Sequence, residues 1–142
     1  MTAPDSVRAE RRRADRIAAL CLLLNDRDGL HGGDGQVAET VERARRLLAA
    51  DGTDPARLDA AFEAVDQALR RAGDARGLGS GRGDIALPGS LPGIRPVINV
   101  ALCPGAVPCT RREPAKDLRP APACAVNGVR MRKERLRRDP TA

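Results

Sequence analysis

Aromatic residues are almost missing from this sequence: Phe62 stands alone, with no Trp and no Tyr. A core must then be built from Leu, Val, Ile and Ala, without the large buried areas that aromatic rings supply, and a large catalytic domain is not expected. Base stacking on nucleic acid loses its usual platform for the same reason. Lysine is scarce too, since Lys116 and Lys133 are the only lysines among 25 basic residues. Arginine carries the positive charge, a bias that a GC-rich coding sequence would also produce. Histidine occurs once, as His31. It sits in a glycine-rich stretch with no Ser or Cys at a telling spacing, so no Ser-His-Asp triad can be assembled.

No apolar run exceeds residues 17–24, far short of the ~20 residues that span a bilayer. Acidic residues are mixed with the arginines before it, and it leaves into Asn25-Asp26-Arg27-Asp28 rather than a small-residue cleavage site. Neither a membrane role nor export is expected. The expected location is the cytoplasm, where cysteine clusters hold metal more often than they form disulfides.

What is present is charge, unevenly placed. The 142 residues carry a formal net charge of +6. Residues 1–99 hold 15 basic and 15 acidic residues, whereas residues 100–142 hold 10 and 4, so the excess belongs to the last third. Its densest part contains Arg130, Arg132, Lys133, Arg135, Arg137 and Arg138. Such a cluster suits an acidic protein surface, or phosphates gripped with salt-dependent affinity. A solvated tail would have the same composition.

Periodicity predicts three helices in the first half. Val7, Ala14, Ile17, Cys21 and Leu24 recur at helical spacing, with Asn25 and Gly29 as the stop. Val37, Val41, Ala44 and Leu48 form a second stripe, supported by Glu39 with Arg43 and Glu42 with Arg46 at i,i+4, and ended by Gly52. In the third, Asp54 is placed as N-cap and Pro55 at the first helical position, before Leu58, Phe62, Val65 and Leu69 on one face. Short connections favour a compact bundle. A unit of this size buries only ~60% of its unfolded surface, so help from a partner or oligomer is expected.

Glycines 73, 77, 79, 81 and 83 predict a linker. Their spacing matches neither a dinucleotide fingerprint nor a P-loop, and Asp26-Arg27-Asp28-Gly29 fails the EF-hand pattern at Leu24 and Gly35. Beyond the linker, residues 97–102 read as a strand leading into Cys103. Pro104, Pro108, Pro114, Pro120 and Pro122 then exclude helix. Asn127-Gly128 marks a tight turn before a second strand or short helix over 129–138.

Cys103, Cys109 and Cys124 are the sharpest constellation. The first two are separated by five residues, and Cys124-Ala125-Val126-Asn127-Gly128 has the shape of a metal knuckle with Asn where another cysteine would stand. Residues 97–131 resemble a zinc ribbon on these features. The resemblance implies a degenerate ribbon folded without metal. It leaves open zinc held by the three thiolates with Asp117, Glu113, His31 or water. A disulfide or redox pair and unrelated thiols are the other readings. Cys21, on the first apolar stripe, reads as a small core residue.

The sequence thus predicts an α+β protein: a three-helix bundle (1–76), a Gly/Pro-rich linker (77–96) and a small zinc-ribbon-like β module with a basic tail (97–142). Protein interaction, without enzymatic activity, is the expected function. A nucleic-acid-associated regulator gripping phosphates through the basic C-terminus is the alternative, and an enzyme of zinc or thiol chemistry comes third.

Overall fold

A computed structural model describes residues 3–26, 35–79, 98–115 and 119–136. Three helices come first, α1 (Ala3–Asn25), α2 (Gly35–Ala49) and α3 (Pro55–Arg71). Five strands follow: β1 (Ile98–Leu102), β2 (Arg112–Pro114), β3 (Ala123–Cys124), β4 (Val129–Arg130) and β5 (Arg132–Leu136). The class is α+β, as the sequence predicts.

The helical stripes account for the first core. Ile17 and Leu20 of α1, Val37, Val41 and Ala44 of α2, and Leu58, Phe62, Val65 and Leu69 of α3 form one buried cluster. Leu24 and Leu48 lie half-buried at its rim. Val7 is the exception, 65% exposed. It lies two turns before Ala14, the first buried residue of α1. Between α1 and α3, Arg13 Nη2 reaches Asp59 Oδ2 at 2.9 Å, and Arg16 pairs with Glu63. In α2, Glu42 engages Arg45 three residues on rather than the expected Arg46.

Helix boundaries follow local chemistry. Ala56 N donates to Asp54 Oδ1 at 3.1 Å, with Pro55 opening α3, as expected. At the other end, Gly73 has φ of 98° and donates to Arg70 O, while Asp74 N donates to Leu69 O. This is a Schellman closure, and its left-handed position is where glycine has no steric penalty. Residues 73–79, the first part of the glycine-rich stretch, are thus held against α3. Leu78 N donates to Asp66 Oδ1 at 2.8 Å and the Leu78 side chain is buried in the helical core. Residues 80–97, which hold most of the predicted linker, lie outside the described residues.

In the β half, β1 is the centre of an antiparallel sheet ordered β2-β1-β5. Its register sets Leu102 between Arg112 and Arg132, and Ala101 between Glu113 and Lys133. β3 and β4 make a separate hairpin whose turn contains Asn127 and Gly128. The segment expected as a strand or short helix over 129–138 forms two strands over its described residues: Met131, buried and donating to Pro122 O, separates β4 from β5. A second small core joins Cys21, Ala101, Ala121, Cys124 and Met131.

The two halves meet on α1, which carries two stripes. Ile17 and Leu20 belong to the helical core. Ala14, Ala18, Cys21 and Asn25, spaced four, three and four residues apart, form a narrow second face. On it, Ala14 O accepts from Thr110 Oγ1 at 3.3 Å, and Asn25 Nδ2 donates to Ala123 O at 3.5 Å. Small side chains let a backbone approach this face closely.

Candidate metal centre

Of the expected set Cys103, Cys109 and Cys124, the structure brings Cys109 and Cys124 together with Cys21, and Cys103 is not one of the three. The three sulfurs lie within 4.8 Å of one another. Each comes from a different local structure: Cys21 from the last turns of α1, Cys109 from the Pro-flanked loop before β2, and Cys124 from the end of β3. Cys21 and Cys124 are fully buried, and Cys109 is half-buried. All four cysteines are free, and the Cys21 to Cys124 sulfur separation is 3.6 Å, much longer than a disulfide bond of about 2.05 Å. Reading Cys21 as a plain core residue was right about its burial and missed its partners.

The groups aimed at these sulfurs are nitrogen donors. Cys21 Sγ accepts from Arg111 Nη1 at 3.2 Å and from Ala125 N at 3.3 Å. Asn25 Nδ2 lies 3.9 Å from the same sulfur. Asn127 Nδ2 donates to Cys103 Sγ at 3.2 Å and to Cys124 Sγ at 3.5 Å. Sulfur that collects several N–H donors behaves as thiolate, the form that ligates metal.

The titration behaviour separates the sulfurs. The hydrogen bond from Cys109 is the main influence drawing Cys21 down to about 4; burial opposes it, and Arg111 with the Val126 and Ala125 backbone N–H groups adds to the lowering. Cys109 is pushed up, first by donating to Cys21 and then by burial. Burial also raises Cys124. Neutral surroundings would thus hold one thiolate and two thiols, which metal would convert to thiolates with release of their protons.

Arg111 is the buried charge beside the sulfurs, at 7% exposure. Its guanidinium spans Cys21 Sγ, Ala123 O at 3.1 Å and Glu113 Oε1, which accepts from Nε at 2.7 Å. Burial works against its charge, and the bonds to Cys21 and Glu113 outweigh that, leaving it above its ordinary value.

Asn127 does not stand in as a ligand. Its Oδ1 accepts from Val107 N and its Nδ2 donates to Val107 O, each at 3.0 Å, which clamps the loop between Cys103 and Cys109. Gly105 makes this clamp feasible, because any Cβ there would overlap the Asn127 side chain. Of the other candidate ligands, Glu113 is engaged by Arg111. His31 and Asp117 lie outside the described residues.

The basic residues divide as well. Arg130 Nη1 donates to Ala121 O at 2.9 Å, a bond within the β half. Arg132, Lys133 and Arg135 are exposed on β5, and Arg112 is exposed on β2. Arg137 and Arg138 lie outside the described residues. Sequence reasoning missed Cys21 and Arg111. The signals were there: a second small-residue face on α1, and three cysteines with Asn at the position of a fourth.

Compared with family models, with curated proteins and with solved structures, the chain matches none. No helix among the described residues is long and apolar enough to cross a membrane.

Proposed function

We propose that the protein is a non-enzymatic interaction module in which a zinc-thiolate centre fastens the β half to the helical half. The carrying observation is that Cys21 of α1 reaches Cys109 and Cys124 of the β half, within 4.8 Å. Soft thiolates suit zinc, and a buried thiolate set suits a structural site rather than an open, catalytic one. Arg111 offsets part of the negative charge. The exposed Arg112, Arg132 and Arg135 then form a cationic sheet surface that an acidic protein partner would complement.

The test is metal content and its consequence. Protein purified under reducing conditions should carry about one zinc per chain, lost in Cys21→Ser. Metal-free wild type with an unchanged fold would overturn the reading.

The second reading, phosphate gripping, draws on the same exposed arginines. With Phe62 fully buried, no base-stacking aromatic remains. Affinity for duplex DNA should then fall linearly with salt on a log-log plot, by roughly 0.9 per neutralised phosphate. Binding to an acidic protein with no DNA retention at low salt would leave the interaction reading standing.

A further inference from the structure

We infer that Cys103 is the fourth ligand of this centre, closing a tetrathiolate zinc site with Cys21, Cys109 and Cys124. The inference rests on the zinc reading above and specifies the set of ligands.

Cys103 directly follows β1, where the strand hands the chain to the loop that ends at Cys109. Its sulfur shares one donor with Cys124, since Asn127 Nδ2 is 3.2 Å from Cys103 Sγ and 3.5 Å from Cys124 Sγ. Cys103 therefore flanks the triad on the side of Cys124. One step between staggered χ1 rotamers moves a cysteine sulfur by about 3 Å, enough to bring a flanking thiolate into a coordination sphere. The loop that carries it is fixed at Val107 by both amide atoms of Asn127, so Cys103 stays beside the site.

The triad geometry suits a closed site. Thiolates at 2.3 Å around tetrahedral zinc stand about 3.8 Å apart, close to the 3.6 Å between Cys21 and Cys124. Three vertices are thus sulfur, and the remaining vertex needs a donor that is not already committed. Glu113 faces Arg111, and Asn127 Oδ1 accepts from Val107 N. Cys103 is the remaining sulfur. In this arrangement the knuckle position held by Asn127 is not vacant by decay: its thiolate comes instead from α1, as Cys21, while Asn127 serves as a donor to two of the ligands.

The full chain, refolded with cobalt(II) in place of zinc, tests this. One cobalt per chain should bind with sulfur-to-metal charge-transfer absorption, and Cys103→Ser should lower that absorption per cobalt by about a quarter, one thiolate of four. X-ray absorption of the wild-type zinc protein, which needs no variant to fold, should give four sulfurs. Equal charge-transfer intensity in Cys103→Ser, or three sulfurs with one lighter atom, overturns the assignment of Cys103 and leaves the triad intact. A wild type that binds neither metal overturns the zinc reading together with it.

Discussion

The helical half hides leucine, valine and phenylalanine; the β half hides cysteine, alanine, one valine, one methionine and an arginine. Phe62, Leu20, Val41 and Val65 are fully buried in the first. The second has Cys21, Ala101, Cys124 and Met131 at its centre, with Arg111 7% exposed beside them. Burial of apolar area is non-directional and insensitive to pH or metal. Sulfur, guanidinium and amide contacts depend on protonation, ligation and geometry. Two parts of one chain therefore answer the problem of small size differently, and they share α1 as a common wall.

The comparison breaks most severely at the centre of the first core. Val65→Asp places an unpaired carboxylate where no partner is available, at a cost of several kcal/mol, and should unfold the helices. Because α1 also walls the β half, both halves should go. Far-UV circular dichroism that keeps its helical signal in this variant would show that the α3 stripe does not carry the core.

Removing the centre should act on one half only. Chelation, or Cys21→Ser, should speed hydrogen exchange at the Met131 amide, which donates to Pro122 O, by roughly a hundredfold or more. Amides of α3 should keep their protection, because Cys21 and Cys124 belong to the second core and Cys109 only packs against the rim of the helical one. Simultaneous loss in both halves would mean that the centre and the bundle are one cooperative unit.

Arg111→Ala comes next. It strands Glu113 without its donor, leaves the Ala123 carbonyl only the longer bond from Asn25, and removes the cation beside Cys21, for an expected loss of about 2 kcal/mol. Arg111→Lys should rescue little, since an ammonium cannot span three acceptors as the planar fork does. Thermal melts of metal-loaded protein would measure both. Full rescue by lysine would reduce the role of Arg111 to charge alone.

In chelated protein, pH should distinguish the halves again. Cys21 is depressed to about 4 in the fold, chiefly by Cys109, against about 8.5 for an ordinary thiol. A depressed group contributes its full stability above the unfolded value and loses it as pH falls through the folded one. Cys109 is raised, so its contribution is full below the unfolded value and drains as pH rises. The β half should thus gain resistance to urea steadily as pH rises from about 5 towards about 8.5, and lose it again above that. Flat stability of the β half across that range would contradict the thiolate-thiol pairing.

Much of the helical half was legible in sequence because its determinants are local. The period of Leu58, Phe62, Val65 and Leu69, and the Asp54-Pro55 start, specify α3 within a few residues. Leu78 escaped notice, since a buried leucine inside a glycine-rich stretch gives no periodic signal. The centre was half legible. Cys109 and Cys124 share a short segment with a readable turn, whereas Cys21 lies 103 residues before Cys124 and doubles as an apolar stripe residue. Long-range convergence of this kind follows from packing, which spacing alone does not encode. Arg111 was hidden for a related reason, being one arginine among many until its burial distinguishes it.

The smallest effect sharpens the comparison from the helical side. Asp54 Oδ1 accepts from Ala56 N at the start of α3 and satisfies one of the donors that the first turn leaves unpaired. Asp54→Ala removes that acceptor without touching the core, for about 1 kcal/mol. In a domain of this size that corresponds to a melting point lower by roughly 4–8 °C. The loss belongs to α3, so zinc affinity and exchange at Met131 should stay as they are in the wild type. Weakened metal binding in Asp54→Ala would mean that strain at the far end of α3 is felt at Cys21, and that α1 transmits between the halves rather than merely separating them.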